Sequence, residues 1–197
     1  MSITPVSYDM LNGEGGFFRY WDLNYTGSGS TNTSLAPLSG GLGDLTDGII
    51  ATDNWFNVEN LAGTGPYVAW QEINPTITFN FDKLVNIDSV TIWVDDANGF
   101  GSVATPSSAE ISMGGIAQNF NIVDPVDSAP IEVTFSDLNL SGTSLDLTLF
   151  EGDQTWIFLS EVAFEGSPVS TPEPSILLGL GTLALAGGTL LKRKQKA

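Results

Sequence analysis

Between Thr76 and Gly166 apolar and polar residues alternate with a period of two almost everywhere. Ile77, Phe79 and Phe81 alternate with Thr76, Thr78 and Asn80. Then follow Val90-Ile92-Val94, Ala109-Ile111-Met113, Phe120-Ile122, Ile131-Val133-Phe135, Leu145-Leu147-Leu149 and a last run from Trp156 to Phe164. Each run is bounded by Gly, Pro, Asn or Asp, the residues that punctuate strands. Runs recurring every ~8–14 residues, with no 3.6-residue period, predict an all-β fold, an antiparallel β-sandwich. Half-apolar strands bury their apolar faces when two antiparallel sheets pack together. The earlier run from Phe17 to Tyr25 is expected to add a further strand. Residues 26–34, rich in Gly, Ser, Thr and Asn, read as a flexible loop. No internal repeat is present. The stretch Gly40-Gly41-Leu42-Gly43-Asp44 is similar to a calcium-binding nonapeptide repeat, but it occurs once and its Asp stands one place early.

The alternation stops at residue 166. Residues 166–174 form a Pro- and Ser-containing linker that ends in Pro172, Glu173 and Pro174. Residues 175–191 carry no charge, and Lys192, Arg193, Lys194 and Lys196 close the chain. The predicted domains are therefore a β-sandwich over 1–165, the linker over 166–174, a transmembrane helix over 175–191 and a basic cytoplasmic tail over 192–197. At a helical rise of 1.5 Å the uncharged stretch would span roughly 25 Å. Snorkelling Lys and Arg stems close the gap to a hydrocarbon core of about 30 Å. These three parts, in this order, resemble the PEP-CTERM sorting signal of bacterial surface proteins. The resemblance implies recognition by a membrane-embedded exosortase, cleavage near Pro172-Glu173-Pro174, and release of the body to the cell surface or the extracellular matrix. The basic cluster, with Lys192, Arg193 and Lys194 as membrane stop, would stay on the cytoplasmic side. Residues 1–8 lack the charged-then-apolar pattern of a secretory signal, so such a signal is expected upstream of Met1.

Charge divides the chain the same way. Only two basic residues, Arg19 and Lys83, stand against 22 acidic ones ahead of residue 171, a net charge of −20. A body this acidic repels phosphate backbones, which excludes nucleic acid as a partner, and it repels anionic lipid surfaces for the same reason. The chain has no Cys and no His. That removes disulfides, thiol nucleophiles, Ser-His-Asp catalysis and the usual zinc ligands. Any metal would be hard and oxygen-bound, calcium first and magnesium second.

The most specific stretch of the body is Leu45-Thr46-Asp47-Gly48-Ile49-Ile50-Ala51-Thr52-Asp53-Asn54-Trp55. An Asp-Gly turn, a Thr five residues after the Asp, and then a Trp resemble the opening of galactose-binding-like jelly rolls. That group includes the discoidin and coagulation-factor C-type domains and many carbohydrate-binding modules. Pro75–Phe81, Ile87–Ile92 and Pro106–Ile111 look like successive core strands of that group, and Trp156–Gly166 like its closing strand. The resemblance implies a jelly roll and a structural calcium, held by Asp47, Thr52 and Glu161. One departure is that Ile49, Ile50 and Ala51 fill the gap where a second acidic residue often stands. The alternative is an Asx turn at Asp47 with Glu161 at a strand bulge.

Sugar recognition uses an exposed aromatic face with polar groups beside it. Trp55, Tyr67, Trp70, Trp93 and Trp156 are the aromatic candidates. Trp93 falls out of phase with Val90-Ile92-Val94, hence on the opposite face, and Trp156 reads as core. Trp55 and Tyr67, flanking a Gly-, Asn- and Pro-containing loop, are the preferred contacts, with Trp70 behind them. Asp95-Asp96-Ala97-Asn98-Gly99 is a polar loop after a strand, and Asp96 and Asn98 are candidate ligand contacts. It does not match the spacing of an EF-hand. Nothing pairs two distant carboxylates as a glycosidase requires. The expected function is a non-catalytic, exported module that binds an extracellular polysaccharide or glycan. Alternatives are a matrix protein with no specific ligand and, third, a polysaccharide-active enzyme.

Overall fold

The computed structural model describes residues 1–169. Of the linker expected over 166–174, residues 166–168 instead continue the closing strand; its part from residue 170, the Pro-Glu-Pro motif, the uncharged segment and the basic tail lie outside the described residues. Among the described residues no helix is long and apolar enough to cross a membrane.

Among the described residues ten strands pair antiparallel: β1 (Ser2–Ile3), β2 (Ser7–Leu11), β3 (Pro37–Gly41), β4 (Val68–Gln71), β5 (Thr76–Val94), β6 (Ser108–Met113), β7 (Ile116–Asn121), β8 (Ile131–Phe135), β9 (Leu140–Phe150) and β10 (Trp156–Pro168). One helical turn, α1, covers Trp55–Val58. Strand β5 is the organiser. Its first half pairs with β2, its second half with β10 and β8, and β9 pairs with both. The register with β9 breaks between Asn80 and Val85, where Asp82, Lys83 and Leu84 are exposed. The two apolar runs expected at 77–81 and 90–94 are thus one continuous strand. Alternation along β5, β6, β9 and β10 turns Ile77, Phe79, Ile92, Ile111, Leu147 and Phe164 into the main core. Burying side chains of this size contributes roughly 1.5–3 kcal/mol each.

The run from Phe17 to Tyr25 is not a strand. Its only ladder contact is an isolated bridge between Gly15 and Arg19. The reason lies in where its amides go: Asp22 N–H donates to Asn12 Oδ1 and Phe18 N–H to the Tyr20 hydroxyl, not to a neighbouring strand. Apolar pressure still buries Tyr20 and Tyr25. Strands β1 to β4 escape the alternation rule because they are two to five residues long, and β3 (Pro-Leu-Ser-Gly-Gly) has a single apolar side chain.

A second, smaller core of Tyr20, Ala51, Trp55, Tyr67, Ala69, Ala97, Val103, Trp156 and Phe158 lies under the connections. It ties three of them together: residues 12–25, 42–67 and 95–105.

Candidate functional site

The Asp47-Gly48 turn is anchored from two sides. Asp47 Oδ1 accepts the Ile49 N–H at 2.8 Å, which makes the Asx turn. Glu161 Oε2 accepts the Gly48 N–H at 3.0 Å. Glu161 follows a bulge in β10, where the pairing with β5 shifts between Leu159 and Glu161. The bulged Ser160 hydroxyl accepts the Ala51 N–H and donates to the Trp93 carbonyl, both at 3.3 Å. The bulge therefore clamps the 48–51 loop onto the closing strand. Burial, with the Asp47 charge adding to it, pushes the Glu161 carboxyl up to about 7. Thr52 is exposed and lines the same cavity as Asp47.

That cavity has a volume of about 330 Å³ and lies among the loops. Its walls include Asn24, Asp44, Asp47, Ile49, Ile50, Thr52, Val58 and Thr64. Asp44 is buried, takes a hydrogen bond from Asn24 Nδ2 at 2.7 Å, and is pushed up to about 7 by burial and by the charge of Asp22. Asp22 is fully buried, accepts from the Tyr8 hydroxyl and the Asp44 N–H, and is also raised, by burial. Glu59, at the end of α1, is 6% exposed. Its Oε1 accepts the Tyr67 N–H at 2.9 Å, while its Oε2 has no partner. Its carboxyl occupies the space where a side chain at Gly65 would start, so a larger residue there would displace it. Burial, then the charges of Asp44 and Asp95, raise Glu59 to about 8. These carboxyls come from chain positions far apart, and no cation enters the causes of their shifts.

For calcium the donor chemistry is right: two carboxylates, Asp47 and Glu161, flank one turn, with Thr52 on the same loop. Hard oxygens are what calcium takes. Among the described residues, however, no group of three or more acidic side chains is placed to hold a metal ion. An ion there would draw most of its shell from hydroxyl and main-chain oxygens.

The aromatic expectation is corrected. Trp70 is fully buried on β4, its Nε1 donating to the Leu11 carbonyl at 2.8 Å. Tyr67 is buried against Phe158, its hydroxyl on the Asp53 carbonyl at 3.0 Å. Trp55, 8% exposed, is a floor rather than a surface. Its main-chain N–H donates to Asp95 Oδ2 at 2.8 Å, and Asn54 Nδ2 donates to Asp95 Oδ1, fixing the start of α1. All three rings are drawn inward because they complete cores that the short strands cannot fill alone. Trp156 is buried, and Trp93 faces outward with its Nε1 on Glu132 Oε2 at 3.2 Å.

Above Trp55 lies an aromatic surface that the sequence reading missed. Phe100 stacks on the Trp55 ring at 6.1 Å and 24° and is 61% exposed. Phe56, 38% exposed, meets Phe100 edge-on at 5.0 Å. Phe18 meets Trp55 edge-on, and Phe17, 76% exposed, packs on Phe18 at 4.7 Å. Gly101 permits the stack: it has a φ of +68°, and a Cβ there would stand 2.5 Å from Trp55 Cζ2. A lone Phe inside an Asp-, Asn- and Gly-rich loop was the available signal. β5 ends at Val94, and Asp95 and Asp96 after it are both buried. Asp96 Oδ1 accepts the Asn98 N–H at 2.9 Å, which places Asp96 under the loop rather than at a ligand. Asn98 is exposed beside Phe100, with Nδ2 on the Val126 carbonyl at 2.8 Å.

The family described as discoidin domain-containing receptor 1/2, DS-like domain, matches residues 5–166. No curated protein matches the chain. Similar solved structures include the CBM32 of AlyQ in complex with 4,5-unsaturated mannuronic acid, at 15% identity and a TM-score of 0.46, over 84% of this chain and 98% of that one. The C-terminal domain of a chitobiase from Bacteroides fragilis is similar at 13% identity and a TM-score of 0.46, over 86% of this chain and all (100%) of that one. An f-lectin from striped bass (Morone saxatilis) serum is similar at 15% identity and a TM-score of 0.44, over 76% of this chain and 47% of that one. With its bulged closing strand, its Asp-Gly turn and a family match across nearly the whole sandwich, the chain belongs to the discoidin receptor DS-like domain family.

Proposed function

We propose that this domain is a non-catalytic glycan-binding module of an exported protein, and that Phe17, Phe56 and Phe100, floored by Trp55, form its platform. The observation that carries the reading is that run of exposed rings at the loop end, with Asn98 beside it. Apolar sugar faces stack on such rings, and an amide beside them satisfies hydroxyls. An anionic lipid surface fits less well, because the acidic body has two basic side chains to offer, Arg19 and Lys83. The sites put forward from sequence at Tyr67 and Trp70 are core, and the platform replaces them. A calcium ion at Asp47, Thr52 and Glu161 would tie the opening loop to the closing strand. The Pro172-Glu173-Pro174 motif, the apolar segment and the basic cluster support a membrane-anchored precursor, cleaved by an exosortase-type enzyme and then displayed at the cell surface or in the matrix.

The test is binding of the full chain to a panel of neutral glycans, with Phe100→Ala and Phe56→Ala beside it. Saturable binding weakened about tenfold or more by Phe100→Ala is expected. A folded chain that binds none of the panel would favour a purely structural matrix role.

A further inference from the structure

Strand β7 closes one margin of the sheet and pairs on one side only. That side meets β6 through the tight turn at Gly114-Gly115, from Met113↔Ile116 to Ser108↔Asn121. Just past the ladder the Ile122 N–H donates to the Ser107 carbonyl at 3.0 Å. Bonds toward one neighbour recur at every second residue of an antiparallel strand. The main-chain groups of Gln118 and Phe120 therefore face β6, and those of Ala117, Asn119 and Asn121 face outward. Among the described residues no strand pairs with that outer side, and those three residues have no main-chain partner there.

The other margins are guarded. Ser28 exchanges hydrogen bonds with Ser39 and so covers β3, and β4 is covered by Glu14 and Tyr20, both bonded to the main chain of Ala69. β1 is two residues long, and β8 carries the exposed Glu132. Coverage, shortness and charge are what keep a sheet edge from pairing with another chain. β7 has none of them. Ile-Ala-Gln-Asn-Phe-Asn is six residues with neither charge nor proline, and no charged residue stands between Glu110 and Asp124.

We propose that the outer edge of β7 pairs antiparallel with the same edge of a second copy of this chain, across a two-fold axis at Asn119. Charge and symmetry select that occupant. Copies of so acidic a body approach with least repulsion along an uncharged edge. Asn119 is the middle of the three outward-facing residues, so a two-fold there sets it opposite its own counterpart, exchanging two N–H···O bonds, and sets Ala117 opposite Asn121. The same register brings Ile116, 56% exposed, beside Ile122 of the copy, and Val123, 82% exposed, beside the copy's glycine turn. Such a contact uses the same surface on both partners and stops at two copies. It is small, so the dimer is weak in dilute solution and fills where the chain is concentrated on a surface.

The test is site-specific crosslinking of the full chain through Asn119→Cys, which supplies its only thiol. Opposed Cα atoms in such a pair stand about 5.5 Å apart, within reach of a short thiol-to-thiol crosslinker. Thr134→Cys, exposed on the margin strand β8, is the comparator and reports any association driven from elsewhere in the chain. Crosslinking at position 119 is expected to exceed that at 134 at least about tenfold, because pairing raises the local thiol concentration. It should rise with sodium chloride, which screens the repulsion between the bodies. Adding Ala117→Pro removes an outward N–H without touching the β6 ladder and should abolish the excess. Adding Asn121→Asp, nearly isosteric, should cut it severalfold and serves if the proline variant melts early. Equal crosslinking at 119 and 134 would overturn the proposal. So would a yield that falls as salt rises, or one that survives in both added variants while the chain stays folded.

Discussion

Glu59→Gln should stabilise the protein in alkaline solution and leave it unchanged in acid. Glu59 is 6% exposed, makes one hydrogen bond through Oε1, and leaves Oε2 unpaired. Its carboxyl rises from the ordinary value of 4.5 to about 8, mainly through burial, with the charges of Asp44 and Asp95 adding to it. A carboxyl raised in the folded state binds its proton more tightly there than in the unfolded chain. Stability is therefore greatest below the unfolded value and falls as pH rises, until the folded group has titrated. The window for Glu59 runs from about 4.5 to about 8. A rise of that size is a factor of about 3,000 in proton affinity, which sets a ceiling of roughly 5 kcal/mol. Relaxation around the ionised group lowers this, so a gain of about 2–5 kcal/mol above pH 8 is expected for Gln, which keeps the acceptor for Tyr67 and carries no charge. For a domain of this size that is roughly 5–15 °C in Tm. Thermal melts of the full chain and of Glu59→Gln at pH 4, 7 and 9 give the difference directly. A gain at pH 9 that shrinks to near zero at pH 4 is expected. An equal gain at both pH values, or a loss at pH 9, would refute burial of an unmatched carboxyl as the cause.

Four other outcomes are expected. Gly101→Ala, which forces a side chain into the Trp55 ring at a positive φ, should cost about 1–3 kcal/mol and lower glycan affinity by tilting Phe100, measured by melting and by titration. Calcium at about 10 mM should raise the Tm, by RT ln(1 + [L]/Kd), and the rise should vanish in Asp47→Asn and in Glu161→Gln; a rise that persists in both would indicate general screening of the acidic body. Affinity for a neutral glycan should hardly respond to sodium chloride, whereas strong low-salt binding to an acidic glycan in the presence of a chelator would contradict the platform reading. Mass spectrometry of native surface material should find chains ending near Pro172–Pro174, and an intact Ala197 there would count against sorting by cleavage.

Glu59 is one of four buried carboxyls that behave this way. Asp22, Asp44, Glu59 and Glu161 are all raised by burial, and each makes folding less favourable as the solution becomes alkaline.

Alternation along the chain determined the strand class by itself, because a strand's side-chain period of two turns composition directly into one buried and one exposed face. It located β6, β8, β9 and β10 and both halves of β5, while the lack of Cys and His and the net charge of −20 excluded whole classes of chemistry. The Asx turn at Asp47 was also legible, since it is local, whereas the bond from the Gly48 N–H to Glu161 was decided by the bulge in β10. Tertiary structure alone decided which aromatics are surface. Trp55 and Phe100 look alike in sequence, yet one is floor and the other roof, because exposure depends on what a neighbouring loop brings over the ring. It alone decided that Phe17–Tyr25 wraps rather than pairs, because an amide goes to whichever acceptor stands nearest in space, here Asn12 Oδ1. The acidic cavity was invisible for the same reason: Asp22, Glu59 and Glu161 stand far apart in the chain, and only the fold brings each within reach of the charge of Asp44 or Asp47, which stand in the cavity wall.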